Sequence, residues 1–227
     1  MFIVEKEPKS LITEEYKTLR TNIQYSSYEK KLEVILVTSS NPKEGKSTTA
    51  GNLLISLAQD NKKVIIIDCD LRRPTIHKKF KLSNNSGLSE VIVGRSKFHE
   101  CVQEYSENID ILTAGKIPPN PSELLGSRTM RKLIEKLKEF YDYIIIDTPP
   151  LLSVTDAQIL SSMVDGVVFV VRANKTKKDD ILQAKKNLER VSANVIGTIL
   201  HGVSKKENKN KYYYGEVEKT RKKRSKH

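Results

Sequence analysis

The sequence VILVTSSNPKEGKST occupies residues 34–48 and joins an apolar run to a glycine–lysine–serine turn. Its first five residues are mostly β-branched or aliphatic, which predicts a buried strand at 34–38. The residues at 46–59 have the pattern of a helix, so the turn lies between a strand and a helix. A helix that begins in this way presents unpaired N–H groups and the positive end of its dipole to an anion. The stretch therefore predicts a phosphate-binding loop.

Each chemical group of this loop suits a particular role toward a nucleotide. Gly45 allows the backbone to approach the phosphates, Lys46 reaches the outer phosphates, and the hydroxyl of Ser47 ligates Mg²⁺. ATP and Mg²⁺ are therefore the predicted cofactors. Ser40 stands where the usual loop pattern has its first glycine. The predicted nucleotide-binding residues are Ser40, Asn41, Pro42, Lys43, Glu44, Gly45, Lys46, Ser47 and Thr48.

Further apolar runs recur along the chain, and helical segments separate them. The runs are continuous rather than alternating, which is typical of strands that helices cover on both faces. The expected fold is therefore α/β, a P-loop NTPase with a doubly wound, mostly parallel sheet flanked by helices. Ser122 is predicted to cap a helix that begins at Glu123. Strands are predicted at 64–68, 109–113, 143–147, 167–171 and 195–200, and helices at 12–25, 127–140, 155–162 and 178–191.

Three aspartates stand at the ends of two of these predicted strands. Parallel strands present their carboxyl ends at the edge of the sheet that also carries the phosphate loop, so Asp68, Asp70 and Asp147 are expected to converge there. Asp147 is predicted to hold Mg²⁺ or its water, while Asp68 and Asp70 divide metal binding and proton abstraction. Arg72 follows closely, and either stabilises charge on a transferred phosphoryl group or pairs with a carboxylate.

Two longer motifs make this combination specific, namely IIIDCDLRRP at 65–74 and IIIDTPP at 144–150. Together with the phosphate loop they resemble the bacterial tyrosine kinase family, a branch of the P-loop ATPases related to the MinD and ParA division proteins. The resemblance points to the cytoplasmic kinase component of Gram-positive capsule and exopolysaccharide systems. It extends to Glu14, Lys17 and Arg20, which look like the family's oligomerisation motif with Lys17 in place of an arginine, and to Tyr212, Tyr213 and Tyr214.

The resemblance implies a protein-tyrosine kinase that uses Mg-ATP and phosphorylates Tyr212, Tyr213 and Tyr214 in trans within a ring of subunits. It makes Lys46 and Ser47 the groups that bind ATP and Mg²⁺. It makes Asp68, Asp70 and Asp147 the metal-binding and catalytic acids, with Asp70 as the acceptor of the tyrosine proton. The implied partners are the cytoplasmic segment of a membrane-anchored activator, further copies of the chain, protein-tyrosine substrates and a cognate phosphatase. The implied location is the inner face of the cell membrane.

The net charge of +12 is concentrated toward the end of the sequence. Residues 203–227 contain ten Lys or Arg and three Glu, which account for seven of the twelve charges. Such a tail either contacts an anionic surface or is merely solvated, and the composition favours neither. The predicted organisation is a helical oligomerisation segment at 1–30, a kinase domain at 31–203 and a flexible basic tail at 204–227. Because no long apolar stretch is present, the chain is expected to stay in the cytoplasm.

Two other functions are compatible with a phosphate loop. A partitioning ATPase of the ParA or MinD type releases free phosphate, whereas an ATP-dependent scaffold assembles a complex without turnover. Asn41 occupies the position of the signature lysine of the partitioning proteins, which disfavours the first alternative. The full set of acids disfavours the second. The tyrosine triplet lies where the apolar pattern has ended, which favours phosphate acceptors over base stacking or packing, and no specific nucleic-acid partner is expected.

Overall fold

The computed structural model describes residues 2–26 and 31–203, which contain one seven-stranded sheet with helices on both faces. Its strands are β1 (Val34–Ser39), β2 (Val64–Asp68), β3 (Val102–Ser106), β4 (Ile109–Leu112), β5 (Tyr143–Asp147), β6 (Gly166–Arg172) and β7 (Val195–His201). They lie in the order β3-β4-β2-β5-β1-β6-β7, and all neighbours are parallel except β3 and β4. The predicted doubly wound, mostly parallel architecture is confirmed.

All six predicted strands are present, and each end lies within one residue of its predicted position. The sequence did not predict β3, the antiparallel strand at one edge of the sheet. Its residues VQEYS are half-buried or exposed, so this strand lacks the continuous apolar run that identifies the central strands. An edge strand with one exposed face carries a weaker pattern than a strand buried on both faces.

The helices of the described residues include those that the sequence predicted. The segments predicted at 12–25, 46–59, 127–140, 155–162 and 178–191 correspond to α2, α3, α8, α9 and α10. The helix predicted to begin at Glu123 corresponds to α7, and the other short helices were missed. The full set is α1 (Ile3–Lys6), α2 (Leu11–Ser26), α3 (Lys46–Ala58), α4 (Ile76–Phe80), α5 (Leu88–Ile92), α6 (Phe98–Cys101), α7 (Pro121–Leu125), α8 (Arg128–Leu137), α9 (Asp156–Ser161) and α10 (Lys178–Arg190).

The predicted helix cap at Ser122 was wrong. Helix α7 begins at Pro121, and Asn120 precedes it as the cap residue. Proline suits the first position of a helix because that N–H has no intrahelical partner. The hydroxyl of Ser122 donates instead to a carboxylate oxygen of Asp156, at 2.6 Å. Ser122 therefore links α7 to α9 rather than capping its own helix.

The strands divide their side chains between two cores, one on each face of the sheet. Leu36 packs with the face that α8, α9 and α10 cover, whereas its neighbour Ile35 packs with the face that α3 covers. This alternation follows from the two-residue period of a strand, and it explains why the runs are apolar at every position. Burial on both faces fixes the strand register, and thus the place where each strand ends.

The N-terminal helix α2 packs against α3 on one face of the sheet. Tyr16 and Ile23 of α2 are buried there, and the hydroxyl of Ser56 in α3 donates to the carbonyl oxygen of Tyr16 at 3.3 Å. None of the helices in the described ranges is long and apolar enough to span a bilayer. The predicted acceptors Tyr212, Tyr213 and Tyr214 lie outside the described residues.

Candidate active site

The phosphate loop connects β1 to α3 and takes its shape from Gly45. This residue precedes the first helical residue and has a φ of 109°, a conformation that glycine adopts without a steric penalty. Lys46, Ser47 and Thr48 follow as the first turn of α3, whose N–H groups have no earlier carbonyl of the helix to bind. The free N–H groups at the positive end of the helix dipole therefore lie at the loop, as the sequence predicted.

Glu44 holds the loop from the inside, a role that the sequence did not reveal. Its side chain is buried, and its two carboxylate oxygens accept from the N–H of Asn41 at 3.0 Å and from the hydroxyl of Thr176 at 2.7 Å. Thr176 in turn accepts from the N–H of Arg172 at the end of β6. Because Thr176 is 132 residues from Glu44 in the sequence, no local pattern predicts the pair. These bonds tie the phosphate loop to the β6–α10 connection.

The three predicted aspartates converge beside Lys46. Strand pairing aligns Asp68 of β2 with Asp147 of β5, and Lys46 Nζ lies 3.3 Å from an oxygen of Asp70. Burial alone would lower the pKa of Lys46, but Asp147 and Asp70 outweigh it and raise that pKa above the ordinary value. Since β1 lies next to β5 and β5 lies next to β2, the order of the strands brings these groups together.

Asp68 is engaged mainly by the backbone of its own chain. One of its oxygens accepts from the N–H groups of Thr75 and Ile76, at 3.0 and 2.9 Å, and the other accepts from the N–H of Asp70 at 3.2 Å. Burial and then Asp147 raise the pKa of Asp68 to about 7, although the two N–H donors act in the opposite direction. Asp68 therefore fixes the start of α4.

Asp147 has the opposite character. It is fully buried, and neither of its oxygens accepts a hydrogen bond from the described residues. Burial raises the pKa of this carboxyl, while the nearby ammonium of Lys46 and hydroxyl of Ser47 lower it. A buried carboxylate without a partner is costly, which is the environment expected of a group that binds a cation. Asp147 therefore fits the Mg²⁺ that the sequence predicted at Ser47, Asp68 and Asp147.

The protein supplies only part of a magnesium shell at this edge. Within residues 2–26 and 31–203, no group of three or more His, Cys, Asp or Glu side chains is arranged to hold a metal ion. Mg²⁺ commonly takes one or two carboxylates from the protein and completes its shell with water and phosphate oxygens. The hydroxyl of Ser47, which accepts from the hydroxyl of Thr75 at 3.2 Å, and the free carboxylate of Asp147 fit that division.

Comparison with known proteins identifies the relatives of this site. Residues 32–200 match the family described as AAA domain. The chain is 44% identical to the tyrosine-protein kinase YwqD of Bacillus subtilis, over 94% of this chain and 90% of that protein. It is 39% identical to the putative tyrosine-protein kinase CapB of Staphylococcus aureus, over 93% of each. The chain belongs to the bacterial tyrosine kinase family.

Solved structures of the tyrosine kinase family have the same fold. The kinase domain of the Escherichia coli tyrosine kinase ETK superposes with a TM-score of 0.86 at 34% identity, covering 90% of this chain and 81% of that one. The chimerical protein CapA2B2 gives a TM-score of 0.84 at 40% identity, with 88% of each chain covered. The septum site-determining protein MinD of Pyrococcus horikoshii is more distant, with a TM-score of 0.64 at 24% identity over 76% of this chain and 72% of that one, and shares the fold.

Arg72, in the motif at 65–74, forms an ion pair. Its guanidinium donates to both carboxylate oxygens of Asp156 in α9, at 2.9 and 3.2 Å, and to the hydroxyl of Ser122 at 3.0 Å. Asp156 is completely buried, whereas the side chain of Arg72 is 39% exposed. Of the two roles weighed from the sequence, the structure shows the carboxylate pair. A contact of Arg72 with the transferred phosphoryl group stays a prediction.

Two further side chains lie against the phosphate loop, and the sequence indicated neither. Lys79 in α4 donates to the hydroxyl of Thr48 at 2.9 Å. His201, the last residue of β7, packs on Gly45 so closely that a Cβ atom there would lie 2.4 Å from the imidazole. Burial lowers the pKa of His201, and the charges of Arg172 and Lys79 lower it further. Both residues reach the loop from elements remote in sequence.

The motif on α2 that resembles the family's oligomerisation motif makes contacts within its own chain. Lys17 and Glu14 form an ion pair at 2.7 Å on the exposed face of the helix. A guanidinium nitrogen of Arg20 donates to the carbonyl oxygen of Ser56 in α3, at 2.7 Å. Arg20 therefore helps to attach α2 to α3. The predicted contact of these residues with a neighbouring subunit stays a prediction.

Proposed function

We propose that this chain is a protein-tyrosine kinase that transfers the terminal phosphate of Mg-ATP to tyrosine hydroxyls. The observation that carries the proposal is the buried, unpartnered carboxylate of Asp147 beside Lys46 and Ser47, at the first turn of α3. The names of the curated relatives support tyrosine as the acceptor. The distant MinD structure is a complex with Mg-ADP, which supports the choice of cofactor.

The residues of this chain would act mainly by positioning and by neutralising charge. When bound, Mg-ATP would supply the phosphoryl group and a divalent cation, for which Ser47 and Asp147 would be ligands. The predicted contribution of Asp68 to metal binding stays a prediction. Lys46 and the N–H groups of the first turn of α3 hold the phosphates in place. Asp70 would accept the proton of the tyrosine hydroxyl, with one of its oxygens held by the N–H of Arg73 at 3.0 Å.

The proposed mechanism requires the ion pair between Lys46 and Asp70 to separate or rearrange when the substrates bind. The two groups are 3.3 Å apart, and in the proposed reaction one faces phosphate while the other faces the acceptor. A carboxylate is in general a weak base toward the proton of a phenol. Alignment of the acceptor and neutralisation of the phosphates therefore supply most of the rate enhancement.

Several finer features of the proposed function rest on the resemblance and on the named relatives. The acceptors would be Tyr212, Tyr213 and Tyr214, phosphorylated in trans within a ring to which α2 contributes. The cytoplasmic segment of a membrane-anchored activator would hold the chain at the inner face of the membrane, and a phosphatase would reverse the modification. The process would be capsule or exopolysaccharide synthesis. The corresponding division of the chain is an oligomerisation segment at 1–30, a kinase domain at 31–203 and a basic tail at 204–227.

Tandem mass spectrometry after incubation with Mg-ATP tests the proposal directly. The wild-type protein would be compared with Lys46→Met and with Lys132→Met, which alters an exposed lysine of α8. We expect phosphate on tyrosines among 212–214 in the wild type and in Lys132→Met, and none in Lys46→Met. The reactions would be repeated with the activator's cytoplasmic segment added. Released phosphate with unmodified tyrosines in both series would favour a partitioning ATPase, and nucleotide binding without turnover would favour a scaffold.

A further inference from the structure

Lys79 is placed at the phosphate loop by a chain of contacts that begins at Asp68, in the motif at 65–74. Asp68 accepts from the N–H groups of Thr75 and Ile76, which fixes the first turn of α4. Lys79 is on this helix, and its ammonium donates to the hydroxyl of Thr48 at 2.9 Å. Thr48 belongs to the first turn of α3, where the free N–H groups lie. The ammonium therefore lies beside the donors that face the phosphates.

The charge of Lys79 is poorly compensated in this position. Among the described residues its ammonium forms no ion pair with a carboxylate, in contrast to Lys46 with Asp70. Burial lowers the pKa of Lys79, the charge of Asp147 raises it, and the ammonium of Lys46 lowers it again. Placing two partly buried cations around the same helical turn costs free energy unless an anion lies between them.

We infer that Lys79 is a second cation, besides Lys46, that binds the phosphates of the nucleotide on the same chain. The inference deepens the proposed function and rests on it. The side-chain amide of Asn41, in the same loop, donates to Asp180 at 2.8 Å. Asn41 carries no charge, whereas Lys79 brings a cation to the loop from α4.

A purely structural role for Lys79 is the competing explanation, since the bond to Thr48 also attaches α4 to α3. Glutamine separates the two roles, because its amide still donates a hydrogen bond but carries no charge. Arginine keeps the charge. The neighbouring Lys78 is an exposed lysine of the same helix, so Lys78→Gln makes the same chemical change away from the loop.

The test measures the dissociation constant of a fluorescent N-methylanthraniloyl derivative of ADP with Mg²⁺, for the wild type, Lys79→Gln, Lys79→Arg and Lys78→Gln. A charged hydrogen bond contributes enough that we expect Lys79→Gln to weaken binding by about tenfold or more. We expect Lys79→Arg to stay within about threefold of the wild type and Lys78→Gln to be unchanged. The affinity of Lys79→Gln should also depend less steeply on salt concentration, because one phosphate contact is lost.

The outcomes separate the inference from the function on which it rests. Binding by Lys79→Gln that equals binding by Lys78→Gln would overturn the inference and leave the kinase proposal intact. A tenfold loss with an unchanged salt dependence would indicate a structural role and would also overturn it. Failure of the wild type to bind the Mg-ADP probe would overturn the proposed function itself. Thermal unfolding without nucleotide checks that the variants are folded. We expect Lys79→Gln to unfold at the temperature of the wild type, because glutamine keeps a donor for Thr48.

Discussion

Asp147 is a residue whose proposed function comes at a cost in folding stability. A fully buried carboxylate normally accepts several hydrogen bonds, yet both oxygens of Asp147 lack a partner among the described residues. Its neighbour Asp68 has the same burial but accepts three N–H donors. The two carboxylates therefore divide the work, because Asp68 holds the backbone and Asp147 keeps its lone pairs for a ligand.

Asp147→Asn should make the nucleotide-free protein more stable and the kinase inactive. Removal of the buried charge relieves a desolvation cost, so we expect the free energy of unfolding to rise by about 1 kcal/mol. Stabilisation by Mg-ADP should be lost at the same time, because the cation loses a ligand. Thermal unfolding in EDTA and in Mg-ADP measures both effects, with the exposed Asp60→Asn as the control. A lower unfolding temperature in EDTA, or retained stabilisation by Mg-ADP, would contradict this role of Asp147.

The sequence revealed the site residues that act through local chemistry and missed those that act through packing. Lys46, Ser47 and the aspartates stand next to strand ends or at a helix start, where their roles follow from backbone geometry. Glu44 has the local pattern of an ordinary loop residue, although its carboxylate accepts from a threonine 132 positions away. Lys79 was missed because α4 has only five residues, too few for a periodic pattern.

Among the elements, α9 is joined to the loop after β2 by Arg72 and Asp156. The pair is bidentate, and Ser122 of α7 donates to the same carboxylate, so three elements meet at one buried group. A pair of this kind contributes more than an exposed one, because removal of the cation leaves Asp156 charged and buried. The contact therefore fastens the loop after β2 to α7 and α9.

Arg72→Ala should therefore destabilise the fold in addition to any effect on catalysis. We expect a loss of about 2 kcal/mol in the free energy of unfolding by urea, and a change below about 0.5 kcal/mol for the exposed neighbour in Arg73→Ala. The double variant Arg72→Ala/Asp156→Ala should lose less than the sum of the single variants, since neither partner is then left alone. Additive losses would show that the pair contributes little. A loss of turnover at full stability in Arg72→Ala would assign Arg72 to the phosphoryl group instead.

The helices and strands differ in how well they can be predicted from their sequences. Central strands such as β2 and β5 are buried on both faces, so the residues before the final aspartate of each strand form a continuous, mostly aliphatic run that is easily recognised. The edge strand β3 contains Gln103, Glu104 and Ser106, and the short helices α5 and α6 cover only about one turn each. These elements depend on tertiary contacts rather than on their own periodicity.

At the scale of the whole molecule, α2 has one face toward its own chain and one toward solvent. Arg20 donates to Ser56 in α3, whereas Glu14 and Lys17 pair on the outer face with side chains 58% and 38% exposed. An exposed pair three residues apart on a helix contributes only a few tenths of a kcal/mol to stability. The charged groups of Glu14 and Lys17 are therefore free to form ion pairs with a neighbouring subunit at little cost to the stability of the helix.

Exchange of the two charges separates an internal pair from an intersubunit contact. The double variant Glu14→Lys/Lys17→Glu keeps opposite charges on the helix but reverses the pattern that another subunit meets. We expect an unchanged unfolding temperature and a smaller particle by size-exclusion chromatography with light scattering. The exchange Lys185→Glu/Glu189→Lys, which reverses an exposed pair on α10, should leave the size unchanged. An unaltered oligomer in the α2 variant would remove these two residues from the proposed interface.

The packing of His201 on Gly45 places the end of the last strand directly at the phosphate loop. Tyr212, one of the proposed acceptors, follows His201 by eleven residues, so the covalent chain limits its distance from the loop of the same molecule to about 40 Å. A tether of this length holds a reactant at an effective concentration on the order of millimolar. Under the proposed function, each molecule therefore carries tyrosines that compete with a free tyrosine peptide, in addition to those that neighbouring subunits offer in trans. Kinetic constants measured with added peptides on the intact chain will understate its intrinsic preference for them, and a version without the three tyrosines is the form in which external substrates should be ranked.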